Sequence, residues 1–138
     1  MLGAALLLSG CVVQLGDQGT DARVVGVRAE LEASDPSELV LASGQPQLIE
    51  FFAYWCGTCQ AMAPTVHRLE AEYAGRIDFV YLDIDDPATA GFRETLDYTL
   101  QPTYVLLDGA GLVVDRWQGL VEAATFESAF QALLEPAG

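Results

Sequence analysis

The pattern of apolar and polar positions predicts the order of strands and helices in this chain. Short apolar runs bounded by Gly, Pro or Asp predict strands, and apolar residues at helical spacing, such as Met62, Val66 and Leu69, predict helices. The predicted strands cover residues 23–32, 47–53, 77–84, 103–107 and 112–117. The predicted helices cover residues 36–42, 56–73, 87–98 and 122–135.

This order, β-α-β-α-β-α-β-β-α, predicts an α/β domain. Strands joined through helices are expected to be parallel, because such a connection returns the chain to the same edge of the sheet. The last two strands flank a turn rich in glycine at residues 108–111, which predicts an antiparallel hairpin. We therefore expect a mixed central sheet with helices on both faces and a C-terminal antiparallel hairpin.

Residues 55–59 read Trp-Cys-Gly-Thr-Cys and directly follow an apolar strand. This spacing predicts Cys56 as the first residue of a helix, where free backbone N–H groups stabilise a thiolate. The outer sulfur can then attack a disulfide and Cys59 can resolve the product. The same spacing serves as half a zinc site, but the chain adds only Cys11 and His67 to the usual four ligands. The pattern favours redox chemistry without a metal or other cofactor.

The composition excludes some classes of partner. Twenty acidic residues stand against six basic residues, all of them arginine, and the net charge is −14. Phosphate backbones repel such a surface, so nucleic-acid binding is not expected. A basic protein partner is compatible with this charge, although acidity commonly serves only solubility. At 138 residues, half of them apolar, the chain predicts a single globular domain with a short extension, and we expect a monomer.

The N-terminus resembles a bacterial lipoprotein signal. Residues 1–8 are almost wholly apolar, and the following Ser9, Gly10 and Cys11 complete a lipobox after Leu8. The resemblance implies a signal peptide at 1–10, a tether at 11–22 lipidated on Cys11, and a domain at 23–138. No basic residue precedes the apolar segment, so its start is expected to be truncated. The alternative is an ordinary buried N-terminus with an incidental cysteine.

From about residue 36 to 135, the chain resembles the thioredoxin family. Within the family, it is most similar to membrane-anchored thioredoxin-like reductases of bacteria and thylakoids. If Cys11 is acylated, Cys56 and Cys59 remain to form the redox disulfide. The matching positions are the Trp55–Cys59 motif, a helix proline at Pro64, a buried acid at Glu50, a cis-proline loop at Gln101-Pro102-Thr103 and a groove glycine at Gly119.

The resemblance implies a role for each matching residue. Cys56 attacks the substrate disulfide, Cys59 resolves the mixed disulfide, and Glu50 accepts the Cys59 proton. The substrate-binding groove is formed by Trp55, Gln101, Pro102, Thr103 and Gly119. Many cytosolic thioredoxins have a lysine where this chain has Tyr81, so the pKa of Glu50 is expected to be raised further.

Several of these positions also have simpler interpretations. Glu50 could be an edge-strand acid facing water, Pro102 a trans turn proline, and Trp55 a residue that only covers the core. We expect His67 to be solvated. The acidic run Asp83, Asp85 and Asp86 predicts helix capping on a solvated surface, with cation binding as the alternative.

Together these features predict an extracytoplasmic thiol–disulfide oxidoreductase anchored to the membrane through Cys11. We expect a protein-disulfide reductase that passes electrons from a membrane donor to exported proteins, such as apocytochromes. The Gly57-Thr58 dipeptide lacks the histidine of strongly oxidising relatives, which favours reduction. The alternatives are a thiol oxidase or isomerase with the same site, and a non-catalytic module that binds peptides or a metallochaperone.

Overall fold

A computed structural model describes residues 30–136 as an α/β fold. Two short 3₁₀ turns, Pro36–Glu38 and Pro87–Thr89, accompany the regular elements. The strands are β1 (Gln47–Phe52), β2 (Asp78–Asp83), β3 (Thr103–Leu107) and β4 (Val113–Gln118). The helices are α1 (Gly57–Glu72), α2 (Ala90–Thr95) and α3 (Ala123–Leu134).

The four strands form one mixed sheet in the order β2-β1-β3-β4. β1 is parallel to β2 and antiparallel to β3, and β3 forms the antiparallel hairpin with β4. Every residue of β1 is buried, because this strand has a neighbour on each side and a covered face above and below. The predicted mixed sheet and C-terminal hairpin are confirmed.

Alternate residues of the sheet pack into two separate apolar clusters. Leu48 and Phe52 face α1 and α3, together with Phe126 and Phe130 of α3. Ile49 and Phe51 point the other way and pack near α2 and the loop after it. Helices therefore cover both faces, as the period of two in the strands predicts.

The helix predicted at 36–42 is wrong. Only Pro36–Glu38 forms a 3₁₀ turn, capped by the Asp35 side chain, and Leu39 is already extended. The Gln47 side chain donates hydrogen bonds to the carbonyl oxygens of Val40 and Leu41 at 2.9 and 3.1 Å. These contacts hold the segment in a non-helical conformation, and Leu41 packs against the α2-side cluster.

The helix predicted to reach residue 98 is shorter, because α2 ends at Thr95. Leu96 turns into the core, and Asp97 adopts a left-handed conformation with φ of 52° that cannot continue a helix. The chain is thereby redirected toward the loop before β3.

Several predictions concern the N-terminal part of the chain. The signal peptide, the tether and Cys11 lie outside the described residues. Most of the strand predicted at 23–32 also lies outside them, and its described end, residues 30–32, forms no strand. Within the part of the chain that the structure describes, no helix is both long enough and apolar enough to cross a bilayer.

Candidate active site

The turn between β1 and α1 carries the two cysteines. Cys56 is the N-cap of α1 rather than its first residue, because its backbone is extended while its carbonyl oxygen already accepts the Gln60 N–H at 3.1 Å. Cys56 and Cys59 form a disulfide with Cα atoms 5.2 Å apart. The Cys59 backbone N–H donates to the Cys56 sulfur at 3.2 Å. The helix N-terminus therefore supplies a donor to the sulfur that must carry negative charge.

The two cysteines differ slightly in exposure, although both are buried. The residue exposure is 6% for Cys56 and 0% for Cys59. Both cysteines belong to the apolar cluster that α1 and α3 cover, but only Cys56 keeps any exposure, so it is the one that a substrate can reach. This asymmetry suits an outer attacking sulfur and an inner resolving sulfur.

The loop before β3 faces the disulfide. The Gln101–Pro102 peptide bond is cis, and the Gln101 carbonyl oxygen lies 3.9 Å from the Cys56 sulfur. The Tyr98 hydroxyl donates to the Gln101 side-chain oxygen at 2.6 Å. Gly119 donates its backbone N–H to the Pro102 carbonyl at 3.0 Å and has φ of 74°, a conformation that favours glycine. The structure thus brings Gln101, Pro102 and Gly119 together beside Cys56.

Thr103 belongs to the same loop but is fully buried. Its hydroxyl donates to the Leu100 carbonyl oxygen at 2.5 Å and accepts a hydrogen bond from the Gln118 side chain at 3.4 Å. Thr103 therefore supports the loop from inside, and the partly exposed Gln101 is the better placed of the two to meet a substrate.

Trp55 lies at the edge of the site and is 62% exposed, so the alternative of a core-covering role is wrong. Its indole N–H donates to the Asp85 carboxylate at 2.6 Å. The neighbouring Asp83 and Asp86 accept backbone N–H groups of Asp85 and Ala88, each at 2.9 Å. The acidic run thus caps local turns and holds Trp55. No group of three or more His, Cys, Asp or Glu residues suited to a metal ion occurs among residues 30–136.

Glu50 lies inside the sheet and is 1% exposed, so the alternative of an edge-strand acid facing water is wrong. It pairs with Tyr81 of β2 on one side and with Tyr104 of β3 on the other. Burial raises the pKa of Glu50 to about 8, and the Tyr104 hydroxyl limits this increase. A carboxyl group with such a pKa can exchange protons near neutral pH.

Tyr104 is a residue of this site that the sequence pattern did not identify. It is completely buried and follows Thr103 directly on β3. The alternation along β3 was a usable signal, because it separates Tyr104 from the face of Thr103. The pairing of Tyr104 with Glu50 depends on the β1–β3 register, which links residues 54 positions apart.

The expectation that His67 is solvated is wrong, because its exposure is 1%. His67 follows the buried Ala63 by four residues and therefore shares its inward-facing side of α1. Its ring packs edge-on against Tyr81, with centroids 5.6 Å apart. The aromatic neighbour explains how the helix buries an imidazole at this position.

Comparison with known proteins agrees with this architecture. The family model "Thioredoxin" matches residues 28–132. The chain is 38% identical over 113 residues to the thiol:disulfide interchange protein TxlA of Synechococcus elongatus. This match covers 80% of the chain and 57% of TxlA. It is 30% identical to the TxlA homolog of Synechocystis, over 97% of this chain and 74% of the relative. The thioredoxin-like protein HCF164, chloroplastic, of Oryza sativa is 35% identical over 78 residues. This match covers 55% of the chain and 29% of HCF164.

Solved structures show the same fold. Mitochondrial thioredoxin 3 of Saccharomyces cerevisiae has a TM-score of 0.58 and 26% identity, over 67% of this chain and 83% of the yeast chain. Thioredoxin of Fasciola hepatica has a TM-score of 0.56 and 28% identity, over 67% of this chain and 84% of its own. The fold and the Cys56–Cys59 disulfide define a thioredoxin-like domain with a paired-cysteine site. The chain belongs to the thioredoxin family.

Proposed function

We propose that this protein is a protein-disulfide reductase that acts outside the cytoplasm as a monomer anchored to the membrane by a lipid on Cys11. One observation carries the catalytic part of the proposal. The Cys56–Cys59 disulfide lies at the N-terminus of α1, with Cys56 the more exposed of the two cysteines, Cys59 fully buried and a carboxyl group of raised pKa in the sheet below. The resemblance of residues 8–11 to a lipobox supports the anchor.

The reaction begins with the reduced dithiol. The Cys56 thiolate attacks one sulfur of the substrate disulfide, so a Cys56–substrate bond forms and the substrate S–S bond breaks. The departing substrate sulfur leaves as a thiolate and takes up a proton. The Cys59 N–H, which points at the Cys56 sulfur, stabilises the attacking thiolate.

The second step releases the substrate. Cys59 loses its proton and attacks the Cys56 sulfur, which closes the disulfide and expels the second substrate thiolate. We assign the uptake of the Cys59 proton to Glu50. Cys59 lies in one apolar cluster with Tyr81 and Tyr104, the two residues that flank Glu50 on the sheet. Glu50 thus lies on the face that α1 covers.

Substrate binding is assigned to the surface around Cys56. Trp55, which directly precedes Cys56, and Leu120, which directly follows Gly119, are exposed by 62% and 75% and are available for apolar contacts. Pro102 has no N–H, and the Gln101 backbone beside it offers hydrogen bonds to an extended substrate segment. Gly119 keeps the groove open, because no side chain projects there.

The relatives named thiol:disulfide interchange proteins support this class of reaction. As substrates we propose exported proteins with oxidised cysteines, among them apocytochromes awaiting haem. A membrane donor must return two electrons and two protons to the Cys56–Cys59 disulfide after each cycle.

The direction of electron flow is tested by the reduction potential of the Cys56–Cys59 pair, measured against glutathione and dithiothreitol. We expect a value at or below about −270 mV, as in reducing members of the fold. A value of about −180 to −120 mV would show that the protein donates disulfides, as an oxidase or isomerase does.

Catalysis itself is tested by insulin reduction with dithiothreitol as donor. We expect Cys56→Ser to abolish the reaction, whereas Cys59→Ser retains attack and accumulates a mixed disulfide with insulin that mass spectrometry can detect. Full activity of Cys56→Ser would show that the protein does not use this disulfide and would favour a binding module.

A further inference from the structure

Three strands place a row of polar side chains on the sheet beneath α1. Tyr81 of β2, Glu50 of β1 and Tyr104 of β3 are direct neighbours in the register. Adjacent residues in a sheet row have Cβ atoms about 5 Å apart, so their side chains rise side by side. All three are at most 1% exposed. The row is therefore a polar group of residues inside an apolar cluster.

The hydrogen-bond donors of this row are unequally available to Glu50. The Tyr81 hydroxyl donates to the Glu70 carboxylate at 3.2 Å. The Tyr104 hydroxyl and both Glu50 carboxyl oxygens are inaccessible to water and have no hydrogen bond of standard geometry to any residue of 30–136. Buried polar atoms need a partner, and the register of β1 and β3 places the Tyr104 hydroxyl group beside the Glu50 carboxyl group.

The electrostatics of the two groups are complementary. Interaction with the Tyr104 hydroxyl lowers the pKa of Glu50 against the effect of burial. Burial, together with the charge of Glu50, raises the pKa of Tyr104 above its ordinary value. Tyr104 thus keeps its proton over the physiological pH range and is available only as the neutral donor.

We propose that Tyr104 is a positioning residue for Glu50: its hydroxyl donates a hydrogen bond to the Glu50 carboxylate and stabilises the ionised form that accepts the Cys59 proton. The catalytic consequence rests on the proposed role of Glu50, whereas the Tyr104–Glu50 contact does not. The chain has no lysine, so the donor that the β1–β3 register places beside Glu50 is a neutral hydroxyl group. A hydroxyl group stabilises a buried carboxylate less than an ammonium group does, so the pKa of Glu50 stays near neutral pH.

The other titratable groups around Glu50 are few. β2 contributes Tyr81, and α1 contributes Cys59, His67 and the half-buried Glu70 that accepts the hydrogen bond of the Tyr81 hydroxyl. The inward-facing residues of α3 are Phe126 and Phe130, which carry no charge, and the Tyr104 ring packs edge-on against Phe126 at 5.0 Å. In the oxidised protein the two cysteines do not contribute to the titration, because a disulfide does not titrate.

The contact is tested by following the carboxyl carbon of Glu50 by ¹³C NMR against pH in the oxidised protein. Tyr104→Phe keeps the aromatic ring and removes only the hydroxyl. We expect it to move the Glu50 midpoint upward by about 1 pH unit, the usual effect of one hydrogen bond to a buried charge. Tyr73→Phe is the matched control, since Tyr73 is a buried tyrosine that packs on Phe130 and does not belong to the row. The Glu50 midpoint should not move in this variant. An unchanged midpoint in Tyr104→Phe would overturn the proposal.

The positioning role is tested by the pH profile of insulin reduction. If Glu50 must be ionised, Tyr104→Phe should be slower by up to about tenfold at pH 7, and its rate should approach that of the unmodified protein above pH 9. In a Glu50→Gln background, Tyr104→Phe should have no further effect. A constant reduction in rate at every pH would overturn the positioning role.

The two proposals fail in distinguishable ways. Absence of insulin reduction in the unmodified protein would contradict the proposed function, while the Glu50 titration would still decide the Tyr104 contact. If Tyr104→Phe does not fold, the unmodified protein suffices. Its Tyr104 ¹³Cζ resonance should shift with pH, and the midpoint of this shift should equal that of Glu50. A Tyr104 resonance that does not respond to the Glu50 titration would overturn the contact.

Discussion

Two neighbouring rows of the sheet have opposite chemistry. The row Val80, Ile49 and Val105 is wholly apolar and faces the α2 side. One residue further along the same three strands, the row Tyr81, Glu50 and Tyr104 faces α1 and α3. Both rows lie on the same three strands in the same register, and burial differs only at Val80, which is partly exposed, so the rows differ mainly in the side chains that they carry.

The difference separates a stabilising face from a functional face. Complete burial of an aliphatic side chain such as Ile49 stabilises the fold by about 1.5–3 kcal/mol. A buried carboxyl group such as Glu50 opposes folding whenever it must ionise. The sheet tolerates this cost on the side of the disulfide, where a group that exchanges protons is useful, and has no such group on the other side of β1.

The largest expected effect on stability comes from the ionisation of Glu50, the carboxyl group of the polar row. The pKa of Glu50 is about 8 when folded and about 4.5 when unfolded. Below pH 4.5 both states are protonated. As the pH rises from 4.5 to 8, the unfolded state loses this proton first, so stability falls, and it levels off above pH 8. From pH 5 to 9, we expect Glu50 to reduce the free energy of unfolding by up to about 4 kcal/mol.

Urea unfolding of the oxidised protein at pH 5 and pH 9 measures this loss. Glu50→Gln should show a much smaller loss. Glu94→Gln, which removes the same charge from an exposed position of α2, should behave as the unmodified protein does. Equal pH dependence in the unmodified protein and Glu50→Gln would contradict the raised pKa.

A smaller effect is expected from truncating the apolar row. Ile49→Ala leaves a cavity and should lower the free energy of unfolding by about 3 kcal/mol. Because Ile49 points away from α1, the folded variant should reduce insulin at the rate of the unmodified protein and keep its dependence of stability on pH. Activity lost in a variant that is still folded by circular dichroism would show that the two faces are not independent.

The smallest effect is expected at the exposed edge of the site. Asp85→Asn weakens the hydrogen bond to the Trp55 indole without removing the acceptor oxygen. In contact with water, such a bond contributes about 0.5–1 kcal/mol, so urea unfolding should change by no more than this. The tryptophan emission should shift, and kcat/KM for insulin should change less than about threefold. A decrease as large as that in Glu50→Gln would place this edge among the functional parts of the site.

Local signals in the sequence were sufficient for the part of the site around the disulfide. The apolar run before residue 53 and the cysteines after it are adjacent in the chain, so strand, turn and helix start could be predicted together. The hairpin and α3 were predicted to within one or two residues for the same reason. The helix predicted at 36–42 does not form, because the side chain of Gln47 donates hydrogen bonds to two carbonyl groups of this segment.

The chain order alone determined that two cysteines lie at the start of a helix behind a buried strand, since that depends on neighbours in sequence. The fold decided what surrounds them. Tyr104 meets Glu50 through the register of β1 and β3, and His67 is buried because α1 packs against Tyr81. Such contacts join residues far apart in the chain, and their environment sets the pKa of Glu50, because desolvation depends on everything packed around a group rather than on its place in the sequence.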